Sequence, residues 1–220
     1  MSDKTPHPAK YSKELLPYLA KHSYGVCLDI MGGTGRIGLL KEINPLITKT
    51  ISNELEKEWA IQGIENKVDE IIIGDAKNLK LSVDCIITSP PYGNRMADNF
   101  KPSKPSSMRK LYAGDLGRTP SNGSVCCKHF NRGYEEIIKE IYDNVIKNVQ
   151  HDLFILNVSN FIRKFKEVDV ISWYLNYFKE NGYYLKYRYD IVTRRQRGVG
   201  ANAHLRVPTE FIGVFSKNNK

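Results

Sequence analysis

Cysteine is scarce in this chain of 220 residues, and the four present form no framework. Cys27 and Cys85 lie inside apolar strand-like runs, and Cys126 and Cys127 are adjacent, so the spacing suits neither a set of disulfides nor paired CxxC ligands. Reduced thiols are expected. Cys126, Cys127 and His129 lack an evident fourth ligand, and adjacent cysteines chelate one ion poorly, so no metal is assigned. Long apolar runs are missing as well: none approaches the roughly 20 residues of a bilayer span. The first residues, Met1-Ser2-Asp3-Lys4-Thr5-Pro6, carry no apolar stretch of the kind a signal peptide needs. A soluble protein of the cytoplasm, with no membrane partner, is expected. There is no internal repeat and no Gly-Lys-Ser/Thr of a P-loop.

Acidic charge is also in deficit, for the formal net charge is +9. Its placement matters more than its size. Residues 1 to 94 are nearly balanced, with eleven Lys/Arg against twelve Asp/Glu. Residues 95 to 132 hold eight basic side chains (Arg95, Lys101, Lys104, Arg109, Lys110, Arg118, Lys128, Arg132) against Asp98 and Asp115. A second basic stretch, Lys186, Arg188, Arg194, Arg195, Arg197 and Arg206, is opposed only by Asp190. Such segments are either solvated surface or contacts to phosphate.

The length fits one domain, residues 1 to 220, with a basic loop insertion at about 94 to 133. Strand, turn and helix alternate. Apolar spacing predicts a short helix over 11–20 disturbed by Pro17, then a strand over 25–31 and a helix over 36–43. A strand over 47–52 precedes a helix over 55–61, and further strands cover 68–73 and 83–87. Beyond the loop follow a helix over 134–149, a strand over 153–158, a helix over 168–179, and final strands over 184–192 and 210–215. The alternation predicts an α/β fold, a seven-stranded, mostly parallel sheet with helices on both faces and an antiparallel last pair.

Three strand ends carry chemistry-bearing residues. Asp29-Ile30-Met31-Gly32-Gly33-Thr34-Gly35 puts glycines where a strand turns into a helix, a place where backbone can approach a ligand closely. Glu54 ends the second strand and could accept both hydroxyls of a ribose. Asp75 ends the third, where it could accept from an adenine amine or simply cap the next helix. The fourth strand stops abruptly in Ser89-Pro90-Pro91-Tyr92-Gly93-Asn94-Arg95, since proline cannot donate to a sheet ladder. Its side chains are thereby presented at the carboxyl edge, where open α/β sheets bind ligands.

Ser-Pro-Pro-Tyr resembles the catalytic motif of the amino-methyltransferases that use S-adenosylmethionine (SAM) to methylate the exocyclic amine of cytosine or adenine in DNA. The order of the motifs, over roughly residues 7 to 95, also matches. The resemblance implies the Rossmann-like fold of class I methyltransferases and SAM as cofactor. Asp29, Met31 and the Gly33/Gly35 turn would hold its methionine portion, Glu54 the ribose and Asp75 the adenine. His7-Pro8-Ala9-Lys10-Tyr11 resembles the segment that this family places over the methionine end, which adds His7 and Pro8. Ser rather than Asp at position 89 implies cytosine N4 ahead of adenine N6. The implied setting is a bacterial or phage-infected cell, as in restriction-modification.

Ser89 and the carbonyl of Pro90 would accept from the amine, with Pro91 stiffening the turn. Tyr92 offers a π-face to an extruded base, or else serves as a core aromatic behind the turn. Asn94 and Arg95 could meet base or phosphate, with Asn157 and Asn160 near the same edge. The family's usual large recognition domain is missing, so DNA, or RNA, would be held by the basic segments, through Arg109, Lys110, Arg194, Arg195 and Arg197. The alternatives are methylation of RNA or of a protein glutamine, and a non-catalytic nucleic-acid-binding protein on the same fold.

Overall fold

The computed structural model describes His7 and residues 11–93, 112–193 and 207–217. Seven strands form one sheet: β1 (Gly25–Asp29), β2 (Ile47–Glu54), β3 (Glu70–Ile73), β4 (Cys85–Thr88), β5 (Leu153–Val158), β6 (Tyr184–Val192) and β7 (Thr209–Ser216). Their order across the sheet is β3-β2-β1-β4-β5-β7-β6. The first five are parallel to one another, whereas β7 runs antiparallel to both β5 and β6. The chain therefore reverses its winding between β1 and β4, the switch point at which α/β sheets open a crevice.

Alternation along the strands divides two cores. Phe154, Leu156 and Val158 of β5, with Phe211 and Phe215 of β7, face α4 (Tyr134–Asn148) and α5 (Val170–Glu180). Ile155, Ile212 and Val214 face the other way, towards α1 (Leu16–Ala20) and the 3-10 helix Arg36–Glu42. Helix α4 buries Tyr134, Ile138, Ile141, Tyr142 and Val145, the spacing of a single apolar stripe. Helix α5 starts at Asp169, whose side chain accepts from the Ser172 amide at 3.0 Å.

Several boundaries differ from those expected. The first helix is confined to Leu16–Ala20 because Pro17, which has no N–H, is accommodated in a first turn and nowhere deeper. The expected helix over 36–43 is a 3-10 helix in which Gly38 presses on the 66–68 backbone; a Cβ there would lie 2.0 Å from the Asn66 carbonyl oxygen. The expected helix over 55–61 is one turn, α2 (Lys57–Ala60), that tightens into a 3-10 segment, Ile61–Ile64. Part of the expected loop has structure of its own: α3 (Tyr112–Leu116) and a 3-10 turn at Val125–Cys127. Among the described residues no helix is long and apolar enough to cross a membrane.

Gly35 is required by packing. Its φ is +73°, and a Cβ would stand 2.6 Å from Gly63 Cα. Gly35→Ala should cost on the order of 2 kcal/mol or more, from left-handed strain and the forced retreat of residue 63. Urea unfolding measures this, and an unchanged midpoint would contradict it.

Candidate active site

The carboxyl ends of β1 to β5 open onto one cavity of about 360 Å³. It draws Met31 from the turn after β1, Asn53 and Glu54 from β2, Asp75 from β3, Ser89 to Tyr92 from the turn after β4, and Asn157 from β5. Thr193, after β6, and Glu210 of β7 close its far side. The glycine turn and the Ser-Pro-Pro-Tyr turn thus face one volume, which lies in the size range of small-molecule sites.

The side of the cavity at the glycine turn rests on two carboxyls, Glu54 half-buried and Asp29 buried. Glu54 accepts from the Gly33 amide at 2.8 Å and from the Glu56 amide at 3.0 Å. Burial nevertheless pushes its carboxyl up to about 7. Asp29 is fully buried and accepts from the Tyr11 hydroxyl at 2.9 Å and the Met31 amide at 3.1 Å. Burial raises it to about 7 as well. Asp29 and Gly35, expected at the cofactor, do not line the cavity. Asp29 supports the turn from beneath, and Gly35 packs on Gly63. Asp75 does line the cavity, and it is also a cap, accepting from the Lys77 amide at 3.0 Å. The capping alternative and the placement at the cavity therefore hold together.

His7 sits over the glycine turn, its ring edge-on to Trp59 at 4.5 Å and to Tyr112 at 5.8 Å. The turn could not carry a side chain at position 33 without meeting His7 Nε2, 3.0 Å from where a Cβ would be. The segment after residue 112 reaches the same cavity through Tyr112, Ser124, Val125 and Cys126. It is anchored by Arg118, one of the basic side chains expected to be free for phosphate. Arg118 instead pairs with Glu56 and Glu58, each at 2.8 Å, and so is committed within the fold. Arg188 is similarly paired with Asp190 at 2.8 Å.

At the Ser-Pro-Pro-Tyr turn the Ser89 hydroxyl is 3.3 Å from the Tyr92 hydroxyl, which donates to Glu210 Oε2 at 2.8 Å. Asn157 Nδ2 donates to the Phe211 carbonyl at 3.1 Å and approaches Glu210 at 3.4 Å. Sequence reasoning missed Glu210, Trp59, Tyr112 and Thr193. Only the position of Glu210 at the start of a late strand hinted at it. Pro8, Asn94, Arg95, Arg109, Lys110, Arg194, Arg195 and Arg197 lie outside the described residues. Among the described residues no group of three metal-ligating side chains occurs.

The raised carboxyls make a pH prediction. A carboxyl lifted to about 7 in the folded state binds its proton more tightly there than in the unfolded chain, whose value is near 4. Between about pH 4 and 7 these two groups therefore remove stability as pH rises. Asp29→Asn should lessen that fall between about pH 4 and 7 in urea midpoints; an identical slope in wild type and variant would contradict the assignment.

No protein-family model matches the sequence, and no curated protein does. Solved structures match in fold. PH1948 from Pyrococcus horikoshii, described as a candidate RNA methyltransferase, is 20% identical, with a TM-score of 0.51 over 92% of this chain and 81% of its own. The hMettl16 catalytic domain in complex with the MAT2A 3′UTR hairpin 6 is 11% identical, with a TM-score of 0.52 over 93% of this chain and 68% of its own. A human methyltransferase 10 domain containing protein is 11% identical, with a TM-score of 0.51 over 96% and 85%. Such identities speak for fold alone. With its seven strands in the order β3-β2-β1-β4-β5-β7-β6, the chain has the Rossmann-like fold of the class I methyltransferases.

Proposed function

We propose that this protein is a SAM-dependent methyltransferase acting on the exocyclic amine of a nucleic-acid base. The observation that carries the reading is the single cavity into which the Glu54 and Asp75 strand ends and the Ser89–Tyr92 turn all open. The residues fit the cofactor. Asn53 Oδ1 is buried beside Glu54 with no hydrogen-bond partner among the described residues, an acceptor in want of a donor such as a hydroxyl or amine. Glu54 would hold the ribose, Asp75 the adenine amine, and Met31, Gly33 and His7 would surround the methionine end. Bound there, SAM would supply a methyl group on a positively charged sulfur.

The chain's own part is to prepare the nucleophile. A base amine is weakly nucleophilic because its lone pair is delocalised into the ring. Ser89 Oγ and the Pro90 carbonyl, accepting the two N–H bonds, would draw that pair out of conjugation, and Pro91 holds the acceptors in place without reorganisation. Alignment of amine and methyl then supplies much of the rate. The Tyr92 ring lines the cavity, where stacking of an extruded base would contribute about 1 to 3 kcal/mol.

For the polymer, RNA takes first place. One structural neighbour is described as a candidate RNA methyltransferase and another was crystallised with a 3′UTR hairpin, which supports RNA for this site. DNA, with cytosine N4 ahead of adenine N6, rests on the Ser-Pro-Pro-Tyr resemblance. The net charge of +9 favours either nucleic acid over a protein glutamine. Against a non-catalytic scaffold stands Glu54, a carboxyl that lines the cavity with burial raising it to about 7, as suits a ligand site.

The test is mass spectrometry of nucleosides from RNA and DNA incubated with the protein and methyl-labelled SAM. Labelled N-methylated base from RNA is expected, and label in neither polymer would sink the reading. Ser89→Ala should reduce transfer by about 10²-fold or more, the scale of losing one oriented polar group at a reacting centre. An equal loss of cofactor binding in that variant would make the serine structural.

A further inference from the structure

Methylating an amine leaves a surplus proton on nitrogen, and the residues on the cavity show where it can go. We propose that Ser89, Tyr92 and Glu210 form a proton relay, with Glu210 as the final acceptor; the proposal rests on the functional reading above.

The direction of each hydrogen bond follows from the chemistry of the groups. An ionised carboxylate only accepts, and a tyrosine has one hydroxyl proton. Tyr92 donates that proton to Glu210 Oε2 at 2.8 Å, in preference to the longer, neutral contact of 3.4 Å to Asn157 Oδ1. The Ser89 hydroxyl, 3.3 Å from the Tyr92 oxygen, must then be the donor of that pair. With its proton turned towards Tyr92, Ser89 Oγ keeps its lone pairs for the amine. Glu210 thus sets the polarity of the motif through Tyr92, and Asn157 Nδ2 steadies the carboxylate at 3.4 Å.

The other carboxylates on the cavity are placed for other work. Glu54 is held by the Gly33 and Glu56 amides, Asp75 caps the turn at Lys77, and Glu14 is exposed. Among the described residues Glu210 is the carboxylate joined to the Ser-Pro-Pro-Tyr turn. It arrives there because β7 runs antiparallel between β5 and β6 and begins at the carboxyl edge of the others.

The step balances. The amine nitrogen forms a bond to the methyl carbon, and the carbon–sulfur bond breaks with its electron pair remaining on sulfur, which becomes a neutral thioether. The nitrogen, now cationic, gives a proton to Ser89 Oγ; the serine proton passes to the Tyr92 oxygen and the tyrosine proton to Glu210. A cation and a carboxylate are consumed, and a neutral carboxylic acid and a neutral methylated amine remain.

Tyr92→Phe and Glu210→Gln test the relay in single-turnover methyl transfer at saturating SAM and nucleic acid. Each should slow transfer by about 10²-fold, with the concentration dependence on nucleic acid little changed. The double variant should be no slower than the worse single one, as for groups acting as a unit. Formate should restore part of the rate to Glu210→Ala and none to Ser89→Ala. A Tyr92→Phe rate within about two-fold of wild type would reduce Tyr92 to a stacking platform and overturn the proposal, as would losses that multiply in the double variant. Wild-type protein inactive on both RNA and DNA would instead overturn the functional reading itself.

Discussion

Glu54 holds together the two segments that every other part of the site needs. Its two oxygens take the amides of Gly33 and Glu56, so the turn leaving β1 is tied to the end of β2. Partial burial of a carboxyl is costly unless its lone pairs are used, and two amides use only part of that capacity. The arrangement makes physical sense as the floor of a ligand site, where ribose hydroxyls would complete the set. From Glu56 the same logic runs outward: its buried carboxylate takes Arg118 at 2.8 Å and the Ser121 amide at 2.7 Å, which brings the segment carrying Tyr112 and Ser124 to Cys126 against the cavity.

The opposite side of the cavity, at the Ser-Pro-Pro-Tyr turn, depends on how β4 ends and how β7 enters. Pro90 and Pro91 stop the ladder, so the next residues leave the sheet at its carboxyl edge. The reversed strand then delivers Glu210 to that edge, to a Tyr92 that is 118 residues away in sequence. One site thus combines parallel strands that end in it with an antiparallel strand that starts in it. The glycine turn and the Ser-Pro-Pro-Tyr turn thereby meet in one cavity.

Much of this was legible in the residues because the signals are local. Leu153–Val158 and Tyr184–Val192 were bounded as they fold, since alternation and flanking turns lie within the segments themselves. The glycine turn, Glu54, Asp75 and Ser89 to Tyr92 stand out through their spacing from strand ends. What escaped depends on pairing between distant segments. Gly35 read as a ligand turn, yet its conformation serves contact with Gly63. Arg118 read as solvated surface or a phosphate contact, yet two glutamates from α2 and its approach claim it. Glu210 is one acidic residue in an apolar strand, and nothing within that strand announces a partner in the proline turn. The helix expected over 36–43 tightened because Gly38 packs on residues 66–68, a contact invisible to periodicity.

Everything proposed for the cavity at the carboxyl edge requires it to be a SAM site built on Glu54. Isothermal titration calorimetry with SAM addresses this directly, whichever nucleic acid is the acceptor. One binding site per chain is expected in the wild-type protein, with an affinity reduced at least about ten-fold in Glu54→Gln, roughly the loss of one charge-assisted hydrogen bond. Wild-type protein that binds no SAM, or a Glu54→Gln variant that binds it as tightly as wild type, would contradict it.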